Sequence, residues 1–411
     1  MIEFVGPIKD VCLGIYDGPH ATPKESDVGP VFLGIKNVTK DGRLDLSEIR
    51  HVSEQEFPQW TRRVVPRKDD IVFSYEATLH LYALIPEGFR GCLGRRMALV
   101  RPDTTKVVPR YLHYYFLSPA WKALMLSNVM TGATVDRIPI ARFPSFEVRL
   151  PRLSAQQRIA DTLSAYDDLI ENNRRRIALL EQSARLLYRE WFVHLRFPGH
   201  EHVKVVDGVP EGWAIFAVSE VADLYRGISY SSDQLVEEGG KPFVNLKCMN
   251  RFGGFRVSGV KRFLGEHKSQ HVVKAGDIVV AVTDMTRDAM IVAQAAIVPK
   301  IVGDDAVFSM DMVKLVPKPA FASHWFHALL RFSSFSFEVR EKANGATVLH
   351  LRPKHIEEWR TPIAPPALRD EYAEYVSPMY ALMDELELQN EKLRQARDLL
   401  LPRLMSGDLA V

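Results

Sequence analysis

The chain is written twice. Gly132-Ala-Thr-Val135 returns as Gly345-Ala-Thr-Val348, 213 residues later. The same offset carries Ala160 onto Ala373, Leu186 onto Leu399 and Leu187 onto Leu400. Earlier in each half, Tyr16-Asp-Gly18 is answered by Tyr225-Arg-Gly227 at an offset of 209, and Asp70-Ile-Val72 by Asp277-Ile-Val279 at 207. The offset drifts where loops differ in length and is constant over the last part of each half. A period near 210 residues is far too long for a solenoid unit, so it means two copies of one domain-sized unit. The 411 residues suit two such units. Whatever one half touches, the other is expected to touch a similar object.

Each unit reads in two parts. The first is rich in strands and turns. Asp70–Ser74, Gly276–Val282 and Ala289–Ala293 are apolar runs bounded by Gly, Pro, Asn and Asp, as strands are. Short helices are expected around Arg110–Ser127 and Ala322–Lys342. This mixture predicts an α+β globule. The second part is a long helix. After Leu150-Pro151, Ser154 and Gln157 have the spacing of a capping box. An apolar stripe follows: Ile159, Leu163, Tyr166, Ile170, Asn173, Ile177, Leu180, Ala184, Leu187, Trp191. Its steps alternate 4 and 3, the period of a coiled-coil seam. The second copy, after Pro365-Pro366, runs Tyr372, Val376, Met379, Met383, Leu386, Asn390, Leu393, Arg397, Leu400, Leu404, with Gly407 as its stop. Pro378 is expected to kink or split it. The predicted organisation is a head over 1–150, a helix over 151–198, a second head over 199–363 and a second helix over 364–411.

With no third long seam available, the two helices are expected to pair with each other. The first carries eight Arg against six acids and the second five bases against nine acids, so their charges are complementary. Exposed ion pairs add only about 1 kcal/mol or less each. Centred antiparallel pairing sets Asn173 opposite Asn390. A buried Asn pair fixes register at some cost in stability; the alternative is two solvated side chains at frayed positions. The predicted architecture is two similar α+β heads on an antiparallel helical pair about 50 Å long, related by an approximate two-fold. Duplex DNA has matching symmetry, and two-fold proteins read half-sites about 34 Å apart.

Composition narrows the setting. The formal charge of +2 excludes a polycationic tail or an acidic disordered chain, but not nucleic acid, because net charge hides distribution. Cys12, Cys92 and Cys248 form no C-x-x-C pair, which argues against a disulfide framework and a Cys-based zinc site and suits a reducing cytoplasm. The first residues lack the basic start and apolar core of a signal peptide. The most apolar stretch, Ala289–Pro299, falls short of the roughly 20 residues a membrane span needs. A cytoplasmic protein without a membrane partner is expected.

Leu153-Ser-Ala-Gln-Gln-Arg-Ile-Ala160, at the start of a long helix, resembles the central conserved region of the specificity (S) subunits of type I restriction-modification systems. Ile177-Ala-Leu-Leu180 and Leu186-Leu-Tyr-Arg-Glu-Trp-Phe192 are similar to it too, as is Arg397-Asp-Leu-Leu-Leu-Pro-Arg-Leu-Met-Ser-Gly407 at the C-terminus. So are the two Gly-Ala-Thr-Val runs. The resemblance covers the whole chain as two variable target-recognition domains, each followed by a conserved helix. It implies no catalysis in this chain. Each recognition domain would read one half of a split double-stranded DNA sequence. The helical pair would set the gap and dock two modification (methyltransferase) subunits, and restriction subunits would complete the nuclease. S-adenosylmethionine and ATP with Mg would serve those partners, leaving this chain without a cofactor.

Rival classes find little support. A two-headed protein-binding scaffold would share the architecture. A stand-alone DNA methyltransferase needs an N/D-P-P-Y/F loop, but Pro365-Pro366 lies between Ala364 and Ala367. Phe252-Gly-Gly-Phe255 reads as a hairpin turn rather than a nucleotide loop, and Gly239-Gly-Lys241 lacks the rest of a P-loop. Asp103 and Glu266 have no evident carboxylate partners for a nuclease. His200-Glu-His202 sits in a linker and reads as solvated rather than metal-binding. No G-x-S-x-G elbow occurs.

Base readout needs Arg, Lys, Asn, Gln, Ser or Thr aimed at base edges, with basic groups on phosphates, and loops are the natural place. In the first head the candidates are Tyr16, Gly18, His20, Thr22, Lys24, Lys36, Asn37, Ser74, Tyr75, Arg95 and Arg96. In the second they are Tyr225, Arg226, Ser229, Tyr230, Lys247, Thr283, Asp284, Thr286 and Arg287. The segments beginning at Tyr16 and Tyr225 are equivalent in the repeat, as are approximately 74–75 and 283–287, which supports a shared DNA-facing edge, with ordinary solvated turns as the standing alternative for each residue. Arg62-Arg63 is a weaker candidate.

Overall fold

The computed structural model describes residues 2–130, 135–285, 289–345 and 348–409. The chain divides into two units, residues 1–170 with 392–411 and residues 171–391. Each unit therefore holds one head together with half of each long helix.

In the first unit, a four-stranded antiparallel sheet runs in the order Cys12–Asp17, Met97–Pro102, Ile71–Ser74, Tyr82–Leu84. A smaller sheet pairs Ser26–Leu33 antiparallel with Arg50–His51 and parallel with Gly91–Leu93. Ile2–Pro7 and Glu147–Pro151 form a separate antiparallel pair. Helices Pro109–Leu117 and Pro119–Leu126 cover the larger sheet with aromatic side chains. Phe73, Tyr82, Phe116, Trp121 and Phe143 are buried there, and the Trp121 indole donates to the Tyr82 hydroxyl at 2.9 Å.

The second unit repeats this plan. Its four-stranded sheet runs Ala222–Arg226, Met312–Pro317, Ile278–Ala281, Ala295–Ile297. Its mixed sheet again contains one parallel pair, Lys241–Val244 with Ala306–Phe308. Ala214–Ala217 and Arg360–Ile363 form the separate pair. Helices Ser323–Phe332 and Phe335–Arg340 cover the core. The short helices thus lie where the sequence places them. Ala289–Ala293 does not form the expected strand. It is a turn with left-handed backbone at Ala289 and Ala293, and the strand begins at Ala295. The buried Asp284 carboxylate accepts from Ile291 N (2.7 Å) and Val292 N (3.3 Å), which folds the segment back on itself.

The first long helix spans Leu153–Tyr188 and continues as a π turn over Arg189–Val193. Because it begins at Leu153, Ser154 lies inside the first turn and cannot be its N-cap. Gln156 fastens that turn instead, accepting from Val108 N at 2.9 Å and donating to Pro151 O at 2.8 Å. The second long helix spans Pro366–Ser406 without a break at Pro378. Proline removes the bond to Glu374, four residues back. Both residues lie on the exposed face, where water can meet the freed carbonyl.

Every position of both stripes is buried or half-buried. In the first unit, Arg397 is a seam residue made tolerable by Asp167. It donates to the Asp167 carboxylate, which also accepts from the Tyr114 hydroxyl. In the second unit, Asn173 Nδ2 donates to Asn390 Oδ1 at 3.1 Å in a buried setting, and Tyr372 donates to Ala184 O at 3.0 Å. Within each unit the helical segments run antiparallel.

Candidate nucleic-acid interface

In the first head the edge is organised around Gly94. Its N–H donates to Leu33 O at 2.7 Å, and Met97 N returns to Gly94 O at 3.0 Å. This makes a tight turn with Arg95 and Arg96 on its outside. Gly18 lies flush against it: its N–H donates to Met97 O at 2.8 Å, and a Cβ there would sit 2.2 Å from the Gly94 carbonyl. Only glycine lets two backbones approach so closely. Tyr75 N donates to Arg96 O and its hydroxyl to Arg95 O, both at 3.3 Å. The segments at 16–18, 33–37, 74–75 and 94–96 therefore meet at one edge.

His20, Thr22, Lys24, Lys36 and Arg95 are exposed there. His20 rests 3.2 Å from Asp17, and Lys36 is 3.8 Å from Glu48. Tyr16 is half-buried beneath the Arg101 guanidinium. Arg96 is half-buried, and its Nε is enclosed without a hydrogen-bond partner. Arg63 belongs to this edge more firmly than its sequence suggested, because it donates to Asp17 Oδ1 at 2.5 Å and Gly18 O at 3.3 Å. Three candidates face inward. Asn37 donates to Asp45 O and Glu48 O and accepts from Gly34 N. Ser74 donates to Thr78 O. Tyr75 is buried, which pushes its phenol up to about 12. Direct base contact by Asn37, Ser74 and Tyr75 is corrected to support of the loops that bear the exposed residues.

The second head builds the same edge around Ser309. Ser309 N donates to Val244 O (2.9 Å) and Met312 N to Ser309 O (3.0 Å). Val282 N donates to Asp311 O, Ile228 N to Phe308 O and Met310 N to Ile228 O, each at 2.8 Å. Gly227 stands where Gly18 does; a Cβ would meet Ser309 O at 2.2 Å. Tyr225, Arg226, Ser229 and Lys247 are exposed. Lys314 Nζ lies 5.3 Å from the Tyr225 ring centre. Tyr230 is half-buried edge-on to Phe243 at 4.7 Å, and burial raises its phenol. Lys247 sits on a single-turn helix, Leu246–Cys248, matching Ile35–Asn37 and its Lys36. Here Asn245 holds the turn, donating to Phe243 O and Gly259 O and accepting from Lys247 N.

Thr283 and Asp284 are buried in a strand pair with Leu349–His350, so they too are corrected to supports. Thr286 and Arg287 lie outside the described residues, as do parts of both Gly-Ala-Thr-Val runs. The sequence reading missed Met310 and the role of Gly94. The offset of 215 that carries Arg95 onto Met310 also carries Gly88 onto Gly303, Met97 onto Met312 and Pro102 onto Pro317, a sparse signal that could have found the former.

Residues 31–182 match the family described as type I restriction modification DNA specificity domain. Over 378 residues the chain is 25% identical to the type I restriction enzyme MjaIX specificity subunit of Methanocaldococcus jannaschii, covering 88% of this chain and 82% of that one. Over 134 residues it is 27% identical to the EcoBI specificity subunit of Escherichia coli, covering 32% and 28%. Among solved structures, the type I restriction-modification S subunit from M. genitalium shares the fold, with a TM-score of 0.53 at 15% identity over 98% of this chain and 96% of that one. By its recognition domain over residues 31–182 and by these relatives, the chain is similar to the specificity subunits of type I restriction-modification systems.

Proposed function

We propose that this chain is the non-catalytic reader of a type I complex, each head contacting one half of a bipartite duplex target. The helical pair sets the spacing of the halves and docks two modification subunits, and restriction subunits complete the assembly. S-adenosylmethionine and ATP with Mg act on those partners in the cytoplasm. One observation carries the reading. The same edge, held by matching backbone hydrogen bonds, occurs once in each head and bears different exposed side chains. A conserved frame with variable outward residues is what two related readers of unlike sequences require.

On this reading Tyr16, His20, Thr22, Lys24, Lys36, Arg95 and Arg96 face DNA in one head, and Tyr225, Arg226, Ser229, Tyr230 and Lys247 in the other. The heads are only mildly basic, with 20 bases against 17 acids over 1–150 and 20 against 19 over 199–363. Much of the phosphate grip then falls to the partners. The test titrates duplex DNA into the chain with its modification partner at several salt concentrations. A steep salt slope together with a preferred sequence is expected. A protein-binding scaffold would show neither. Methyl transfer or cleavage by the isolated chain would contradict the reading.

A further inference from the structure

The two copies of the edge can be aligned bond by bond. Gly94 N to Leu33 O corresponds to Ser309 N to Val244 O. Met97 N to Gly94 O corresponds to Met312 N to Ser309 O, and Tyr75 N to Arg96 O corresponds to Val282 N to Asp311 O. These bonds place Arg95 and Met310 at the same corner of the same tight turn, independently of any sequence likeness. Arg95 is exposed, as a guanidinium is expected to be. Met310 is 54% exposed, although methionine is among the residue types most often buried.

The Met310 turn is also held more tightly than surface packing requires. Its N–H is fixed to Ile228 O at 2.8 Å. Ser309 Oγ donates to Asp311 Oδ2 at 2.9 Å and accepts from Asp311 N at 3.1 Å. The Asp311 carboxylate is thereby tied to the turn itself. An exposed thioether at the tip of a rigid, hydrogen-bonded corner is presented outward.

We infer that Met310 is a specificity-determining residue, selecting a thymine by contact with its C5 methyl where Arg95 selects a guanine in the other half-site. This rests on the proposed DNA reading and deepens it. The major-groove edge of guanine offers two acceptors to a guanidinium, whereas the thymine methyl offers an apolar surface. A thioether cannot donate a hydrogen bond, and its polarizable, unbranched chain packs well on a methyl group. The two heads thus share one reading corner and differ in the chemistry placed on it.

The experiment uses the full chain in complex with its modification subunits. Methylated motifs are mapped on a randomised duplex library for the wild type, Met310→Ala, Met310→Arg and Arg95→Ala. Met310→Ala is expected to reduce modification of the native site about tenfold and relax one thymine position in one half-site. Met310→Arg is expected to move that position toward guanine. Arg95→Ala is expected to relax a guanine in the other half-site only. An unchanged motif and rate for both Met310 variants, with complexes assembled as in the wild type, would overturn the inference while leaving the DNA reading intact. A wild-type complex with no bipartite motif would instead overturn the DNA reading itself.

Discussion

The two heads solve one structural problem with different residues. Both carry an aspartate at the foot of a central strand, Asp70 and Asp277, each accepting from a backbone N–H three residues earlier. In the first head Arg101 grips Asp70 with two nitrogens at 2.8 and 2.7 Å, and Asp70 is 1% exposed. In the second, Lys314 stands 3.7 Å from Asp277. Both heads fasten their lysine-bearing turn with a buried asparagine, but Asn37 does so from its end and Asn245 from its beginning. Duplication has preserved the frame and the kind of bond it needs, while freeing the identity of the residue that supplies it. Among the outward side chains, Lys36 and Lys247 agree, whereas Arg95 and Met310 differ in chemistry.

The largest expected difference lies in the buried ion pairs. Asp70→Asn leaves a mostly buried guanidinium without its charge partner and should cost about 3–5 kcal/mol. Asp277→Asn removes a longer contact to a lysine that also donates to Val272 O at 2.7 Å, and should cost less, about 1–3 kcal/mol. Urea unfolding of the two full-length variants checks this, and equal losses would erase the contrast.

A second comparison concerns acid. His113 and His327 lie on the first covering helix of each head, Pro109–Leu117 and Ser323–Phe332, and both are buried. Burial holds His113 down to about 4, opposed by Asp167, and holds His327 well below its ordinary value. A depressed histidine is neutral in the folded state while the unfolded chain takes up a proton. Each head is therefore expected to lose stability as pH falls below about 6.5, and the His113 share, roughly 3 kcal/mol, is fully lost near pH 4. His113→Gln should flatten part of this acid limb in a stability-against-pH series. An unchanged limb would show that another group governs it.

The smallest expected effects belong to Lys36 and Lys247. If each meets a phosphate, replacement by Ala should weaken binding to all sequences alike and lower the salt slope by about one. A loss confined to particular bases would make either lysine a reader instead.

Much of this was legible in the sequence because it rests on periodicity. The repeat, the two stripes and the short helices are patterns of apolar spacing, and the stripes bring Asn173 against Asn390. What was not legible depends on tertiary bonds. Asn37, Ser74, Thr283 and Asp284 have the residue types of base readers, yet they bond to nearby backbone and side-chain groups instead. Ala289–Ala293 has strand composition, but the Asp284 carboxylate turns it into a loop. The equivalence of Met310 with Arg95 is carried by hydrogen bonding, and the sequence marks it faintly, by Gly88 with Gly303, Met97 with Met312 and Pro102 with Pro317.

The most direct test of the account is the set of sites methylated by this chain with its modification partner. Two unlike half-sites separated by a fixed gap are predicted, because the two heads present different side chains on one frame. A contiguous motif, or two identical half-sites, would contradict it.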